Sequence, residues 1–126
     1  MSTAGPTIIL AVDDEPVELQ FIALVLGRAG YEVIGTASGP SALAVLEARS
    51  DVALVVADCR MPHMSGPELL GQIAVRWPEI KLIATSGAPE PDDLPDKTTF
   101  LQKPYRPSVL THHVDRRLNR VQETPL

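Results

Sequence analysis

Five side chains that can do phosphoryl or metal chemistry follow or end short apolar runs of this sequence. They are Asp13 and Asp14 after the first run, Asp58 at the end of the third, Ser86 at the end of the fourth and Lys103 after the fifth. Three carboxylates held close together repel one another and raise one another's pKa unless a cation lies among them. Hard oxygen ligands of this kind suit Mg²⁺ or Mn²⁺ and do not suit zinc.

A carboxylate beside a divalent cation and a lysine is also a competent nucleophile toward phosphorus. The cation and the ammonium group offset the charge on the transferred oxygens, and a hydroxyl can hydrogen-bond to one of them. Asp58, Lys103 and Ser86 supply the carboxylate, the ammonium group and the hydroxyl. The residue types therefore predict a phosphoryl-accepting aspartate, provided that the fold brings the ends of the apolar runs together.

The apolar runs alternate with helical segments, which is the pattern of a parallel sheet with helical crossovers. Strands are predicted over residues 7–12, 32–37, 53–58, 81–86 and 99–102. In open sheets of this kind, ligands bind beyond the carboxyl ends of the strands. We therefore expect an α/β fold with a single open five-stranded parallel sheet and helices on both faces. The candidate residues should meet at one edge of that sheet.

Local signals place the helices between the strands. Pro16 is tolerated in the first turn of a helix that should end near Gly30. Ser65 and Glu68 predict a capping box at the start of a third helix. A final amphipathic helix is predicted over residues 107–119, because apolar residues recur there on one face.

The segment between the fourth and fifth strands, residues 87–98, should lack a regular helix. Pro89, Pro91 and Pro95 are spread through it, and a proline inside a helix costs about 3 kcal/mol. The proline-free stretches between them are too short to form a helix without tertiary support. The fourth helix of the alternating pattern should therefore be absent or shortened to about one turn.

Length and composition indicate one globular domain. The chain of 126 residues, 44% hydrophobic and 21% charged, fits a single domain over residues 1–126 with a core of about 7–119 and short tails. The single cysteine, Cys59, can form no internal disulfide, and no apolar run is long enough to span a bilayer. The net charge of −5 argues against non-specific nucleic-acid binding. We expect a cytoplasmic protein with no nucleic-acid or membrane partner.

Four pieces of the sequence together resemble the receiver domain of two-component response regulators over roughly residues 7–119. They are AVDDEP (11–16), VVADCRMPHMSGPEL (55–69), IATSG (83–87) and FLQKPY (100–105). The second piece is the most specific, because Asp58, Met61, Pro62 and the Gly66-x-Glu68 that follows all fall at the family's spacing. The resemblance implies a flavodoxin-like fold, similar to chemotaxis regulators, with the strand order 2-1-3-4-5.

The resemblance also implies a set of metal ligands. Asp58 would be the phosphoacceptor, and Asp14 and Asp58 would hold Mg²⁺ or Mn²⁺ directly, together with the backbone carbonyl of Arg60. Asp13 would act mainly through metal-bound water. Arg60 stands two residues past the acceptor, where its side chain can reach the crevice and influence the lifetime of the phosphoryl group.

The remaining site residues are assigned by the same resemblance. Ser86 would bind one phosphoryl oxygen, and Lys103 would pair with another. Pro104 would follow a cis peptide bond, and Phe100 occupies the position of the family's switch aromatic. Because Phe100 has no hydroxyl group, any rotamer switch in this chain must act by packing alone.

The function that follows is a phospho-accepting response regulator of a two-component phosphorelay. It would take a phosphoryl group from a histidine kinase or a histidine phosphotransferase onto Asp58 with Mg²⁺, and signal to an unidentified downstream protein by changing conformation. Its only catalysis would be its own phosphorylation and dephosphorylation. The short tails, residues 1–6 and 120–126, favour a stand-alone regulator or phosphate shuttle. The receiver module of a hybrid histidine kinase, or a phosphate sink, remains the alternative.

Three other functions fit the sequence less well. A phosphatase with an Asp nucleophile needs a second acid two residues later, where Arg60 stands. A flavodoxin-like cofactor binder needs a phosphate loop after the first strand, where the acidic residues 13–15 would repel a phosphate. A receiver used only for docking should lack Asp58 or Lys103, and both are present.

Two surfaces are predicted to meet partners. The first helix should turn five residues towards the sheet: Leu19, Ile22, Val25, Leu26 and Ala29. Val17 and Leu24 then point outwards, and in the resembled family this helix meets the kinase. The segment 87–98 should instead present an acidic loop (Glu90, Asp92, Asp93, Asp96) against the basic final helix. We therefore expect a monomeric or partner-specific regulator, not one activated through a symmetric dimer.

Overall fold

The structure, a computed structural model, describes residues 5–120 as five strands and four helices. The strands are β1 (Ile8–Val12), β2 (Glu32–Thr36), β3 (Val52–Asp58), β4 (Lys81–Ser86) and β5 (Thr99–Gln102). The helices are α1 (Pro16–Arg28), α2 (Gly39–Ala48), α3 (Gly66–Arg76) and α4 (Pro107–Arg117). All strands pair in parallel in the order β2-β1-β3-β4-β5, which confirms the predicted fold class.

The central strands are apolar because both of their faces are covered. Every residue of β1 is buried, and so is every residue of β3 except Ala53. Successive side chains of a strand point to opposite faces. Leu10 and Val12 therefore pack in the core under α2 and α3, whereas Ile9 and Ala11 pack in the core under α1 and α4. Each fully buried Val, Leu or Ile side chain contributes roughly 1.5–3 kcal/mol relative to an exposed one.

Helix α1 has the two faces that the sequence predicts. Pro16 occupies its first turn, and Gly30, just beyond its end, adopts a left-handed φ of 97°. Ile22 and Leu26 are buried against the sheet. On the opposite face Val17 is 72% exposed and Leu24 is 55% exposed, so this helix offers an apolar surface to solvent.

The segment between β4 and β5 contains turns and no helix, as predicted. The apolar residue Leu94 covers part of the core under α2 and α3. Lys97 adopts a left-handed φ of 67°, which reverses the chain before β5. Asp96 and Arg117 of α4 border one cavity, so this acidic segment does lie beside the final helix. Within residues 5–120, however, no ion pair joins the two.

Four element boundaries differ from the prediction by one or two residues. Strand β1 begins at Ile8 and strand β2 ends at Thr36, each one residue shorter than predicted. Strand β3 begins at Val52, one residue before the predicted start. Helix α4 ends at Arg117 and not at residue 119, because Asn119 adopts a left-handed φ of 57° that ends the helical path. In residues 5–120 no helix has both the length and the apolar character needed to cross a bilayer.

Candidate phosphoryl and metal site

The parallel register brings the candidate residues to one edge of the sheet. Asp13 follows the last residue of β1, and Asp58 and Ser86 are the last residues of β3 and β4. Asp58 lies opposite Thr85 in the register between β3 and β4. The backbone N–H of Lys103 donates to the carbonyl oxygen of Ser86 at 2.7 Å, which fixes the chain after β5 beside β4.

Three carboxylates converge at this edge. Asp13, Asp14 and Asp58 each place an oxygen within 4.8 Å of the other two. Asp13 is 1% exposed and Asp58 is 8% exposed, whereas Asp14 is open to solvent. The backbone N–H of Glu15 donates to Asp13 Oδ1 at 3.0 Å and holds that carboxylate in place. An all-oxygen set of this kind, partly buried and open on one side, fits Mg²⁺ or Mn²⁺.

The ammonium group of Lys103 lies among carboxylates. Its Nζ atom is 3.3 Å from an oxygen of Asp13, 3.3 Å from Glu18 and 3.5 Å from Asp58. Burial works to lower the pKa of Lys103, but the negative charges of Asp58, Asp13 and Glu18 outweigh it. The pKa is therefore raised above its usual range, and this lysine is cationic at neutral pH.

The surroundings of the Asp58 carboxyl group, unlike those of Lys103, disfavour the charged form. Burial raises its pKa, the charge of Lys103 lowers it, and the charges of Asp13 and Asp14 raise it again, with a net upward shift. The ionised form of Asp58 is thus disfavoured by its own surroundings. Added positive charge among the three carboxylates would reverse the balance and favour the nucleophilic form.

The hydroxyl group of Ser86 lies at the same edge of the sheet, at the end of β4. Ser86 is 1% exposed, and its Oγ accepts a hydrogen bond from the backbone N–H of Ala88 at 3.1 Å. Because the backbone N–H uses one lone pair, the hydroxyl proton remains available to donate to a bound oxygen. The predicted grouping of Ser86 and Lys103 beside Asp58 at one sheet edge is therefore what the structure contains.

Arg60, Phe100 and Pro104 flank this edge. The side chain of Arg60 is exposed just beyond β3. The Lys103–Pro104 peptide bond is cis, as predicted. Phe100 is half-buried and packs against the core under α2 and α3, the same core that Leu94 covers. An aromatic ring in this position can respond to the site only through packing.

Glu18 is also part of this site, and the sequence patterns did not predict it. Glu18 lies in the first turn of α1, and it reaches Lys103 across the gap between that helix and the chain after β5. The one sequence feature that points to Glu18 is its position in the first turn of α1, a helix that begins shortly after Asp14 at the same edge of the sheet. An acid in a first helical turn is ordinarily explained by the helix dipole alone, so this signal is weak.

Known proteins are similar to this chain over most of its length. The family profile described as the response regulator receiver domain matches residues 9–115. The sensor kinase CckA of Brucella abortus (strain 2308) is 35% identical over 111 residues, which are 82% of this chain but only 11% of that protein. Two-component response regulator ORR3 of Oryza sativa subsp. indica is 33% identical over 120 residues, 90% of this chain and 88% of that protein.

A similar fold is present among solved structures. A response regulator receiver domain protein from Clostridium thermocellum superposes with a TM-score of 0.83 at 27% sequence identity. The alignment covers 90% of this chain and 95% of that one. The similarity of fold thus extends over most of the chain.

Proposed function

This chain belongs to the response regulator receiver domain family, and from that membership we propose that it accepts a phosphoryl group on Asp58 as a signalling step. Receiver domains are signalling modules of two-component systems. The observation that carries the proposal is the convergence of Asp58 with Asp13, Asp14 and Lys103 at the carboxyl edge of the sheet.

In the proposed reaction, an oxygen of Asp58 attacks the phosphorus of a phosphohistidine. An O–P bond forms while the P–N bond breaks, and the imidazole leaves with the electron pair of that bond. Lys103, with its Nζ atom 3.5 Å from Asp58, offsets charge on the transferred oxygens. The Ser86 hydroxyl donates a hydrogen bond to one of these oxygens, since its proton is not otherwise used.

The residues at this edge fit Mg²⁺ or Mn²⁺. Asp14 and Asp58 would hold the ion directly, with the backbone carbonyl of Arg60, and Asp13 would act through water. A bound divalent cation supplies positive charge that stabilises the transferred phosphoryl oxygens. The raised pKa of Asp58 supports the need for such charge, because the metal-free cluster disfavours the ionised nucleophile.

Phosphorylation of Asp58 would be transmitted to the surface by changes in side-chain packing. Lys103 and Ser86 shift when they engage the phosphoryl group, and β5 moves with them because Lys103 directly follows β5 and its backbone N–H donates to the carbonyl oxygen of Ser86. Phe100 lies on β5 and contacts the core that Leu94 covers. The helix-free segment 87–98 is therefore the surface that we expect to change.

The donor would be a histidine kinase or a histidine phosphotransferase that docks on α1. The exposed apolar residues Val17 and Leu24 support this docking surface. The match to a sensor kinase, of which the chain spans 11%, supports a second candidate in which the same Asp58 chemistry serves a hybrid kinase. The match to a plant response regulator, of which it spans 88%, supports the regulator.

A small donor tests the proposal without knowledge of the kinase. The protein is incubated with acetyl phosphate in Mg²⁺ or in excess EDTA, and the intact mass is measured. We expect one phosphoryl group per chain in Mg²⁺ and none in EDTA. No uptake in either condition, or equal uptake in both, would contradict the proposal.

A further inference from the structure

Glu18 is the carboxylate beside Lys103 that does not belong to the acidic cluster. Lys103 Nζ lies equally far, 3.3 Å, from Asp13 and from Glu18. Asp13 is one of the three residues whose oxygens converge within 4.8 Å, and Glu18 is not. The ammonium group therefore bridges the acidic cluster and a separate acid on α1.

The Glu18–Lys103 contact is partly shielded from solvent. The Glu18 side chain is 31% exposed and the Lys103 side chain is 22% exposed. An ion pair at this depth is screened less than a fully exposed one, so it persists at physiological salt. Glu18 also adds to the upward shift in the pKa of Lys103.

The two kinds of carboxylate have different roles when the site works as proposed above. A divalent cation among Asp13, Asp14 and Asp58 would weaken the electrostatic attraction between these carboxylates and Lys103. It does not neutralise Glu18, which stays as the competing anionic partner of the ammonium group. A phosphoryl group on Asp58 must then draw Lys103 away from Glu18.

We propose that Glu18 is a positioning residue that holds the Lys103 ammonium group in competition with the incoming phosphoryl group, and so slows phosphorylation of Asp58. This inference rests on the proposed function. It assigns the restraint to a specific contact on α1, the helix that also carries the exposed residues Val17 and Leu24.

Two substitutions separate contact from charge. Glu18→Gln keeps the shape of the side chain and removes its charge. Glu18→Asp keeps the charge but withdraws the carboxylate by one methylene group from its 3.3 Å contact. Glu68→Gln is the matched control, because Glu68 is an exposed acid in the first turn of α3 at the same edge of the sheet.

The measurement is the rate of Asp58 phosphorylation by acetyl phosphate in Mg²⁺, at low and high salt. Glu18→Gln should react about threefold faster or more than wild type, and the gain should shrink at high salt. Glu18→Asp should fall between the two, and Glu68→Gln should match wild type. Damage to the fold would displace the residues around Asp58, so a merely structural role of Glu18 predicts a loss of rate, accompanied by a loss of unfolding free energy that chemical denaturation measures.

Three results would overturn the inference. The first is a Glu18→Gln rate equal to wild type, and the second is an equal gain in Glu68→Gln. The third is a Glu18→Asp rate no higher than wild type while Glu18→Gln is faster, which would assign the effect to long-range charge. Failure of the proposed function is distinguishable from these, because the wild-type protein itself would then take up no phosphoryl group.

Discussion

Gly66 lies directly against the main chain of Asp58. A Cβ atom added to Gly66 would be 2.3 Å from the carbonyl oxygen of Asp58 and 2.6 Å from the Cα atom of Cys59. The backbone N–H of Gly66 also donates to the carbonyl oxygen of Cys59 at 3.0 Å. The start of α3 thus packs directly against the backbone of Asp58, the proposed acceptor, and only glycine allows this approach.

Gly66→Ala should therefore destabilise the protein and displace the acceptor. Backbone atoms cannot yield as a flexible side chain can, so we expect a loss of about 1–3 kcal/mol in unfolding free energy. Chemical denaturation measures it. The control is Gly71→Ala on the same helix, where an added Cβ meets nothing within 4 Å. That change should stabilise by roughly 0.5–1 kcal/mol. Equal effects of the two substitutions would contradict the close approach.

Mg²⁺ should stabilise the folded protein, because it relieves repulsion among Asp13, Asp14 and Asp58 and binds only where they converge. At a metal concentration about ten times Kd, the gain is roughly 1.4 kcal/mol. Asp14→Asn should weaken this response and raise the stability of the metal-free protein, since one repelling charge is lost. A melting temperature that does not change on titration with millimolar Mg²⁺ would argue against a metal site.

Leu24→Glu should slow phosphotransfer from a histidine kinase while leaving phosphorylation by acetyl phosphate intact. Leu24 is 55% exposed on α1, so a charge there should disturb docking and not folding. Both reactions are followed by the rate at which Asp58 gains phosphate. Val75→Glu is the control, because Val75 is 82% exposed on α3 and away from that helix. Equal loss with both donors would indicate misfolding, and no loss with the kinase would refute docking through α1.

Tyr31→Phe should destabilise the protein at neutral pH by about 1 kcal/mol, because the Tyr31 hydroxyl donates to Asp115 and its removal leaves that carboxylate without this donor. Urea denaturation at neutral pH measures the loss. Tyr105→Phe is the control, since the Tyr105 hydroxyl is buried with no partner in residues 5–120. Its removal should cost nothing or should stabilise. A larger loss for Tyr105→Phe than for Tyr31→Phe would contradict the assignment.

The same two tyrosines predict an alkaline loss of stability. The pKa of each is raised to about 12, at both tyrosines chiefly by burial and at Tyr31 also by the hydrogen bond to Asp115. The neutral form is favoured in the fold, so the stabilisation is complete below an unfolded pKa of about 10 and is lost as pH rises through about 12. The chain has only 2 tyrosines, so Tyr31→Phe should roughly halve the tyrosine contribution to the slope of unfolding free energy against pH. A slope in Tyr31→Phe equal to that of wild type would contradict this prediction.

Much of this architecture follows from local patterns. Parallel strands buried on both faces must be apolar throughout, and Pro16, Gly30 and Ser65 mark helix boundaries that need no tertiary information. The helix-free segment 87–98 is equally local, because the prolines act on the backbone itself. The positions of Asp58 and Ser86 at strand ends then bring them together through topology alone.

The contacts that the sequence did not predict join elements distant in the chain. Glu18 on α1 meets Lys103 in the chain after β5, and Tyr31 donates to Asp115, which is 84 residues away. Neither pair has a periodicity or a spacing that sequence alone reveals, because the packing of α1 against α4 and the chain after β5 decides them. The cis bond before Pro104 was predictable only through the family resemblance.

Replacement of the Asp58 carboxylate tests the claim that this residue is the phosphoryl acceptor. Wild type and Asp58→Asn are each incubated with acetyl phosphate and Mg²⁺, reduced with borohydride to mark any acyl phosphate, and mapped by peptide mass spectrometry. We predict that the mark lies at residue 58 in wild type and that Asp58→Asn, which keeps the shape but lacks the nucleophile, carries none. Acid-labile phosphate taken up by Asp58→Asn to the wild-type extent, or a mark on another residue of wild type, would contradict the claim.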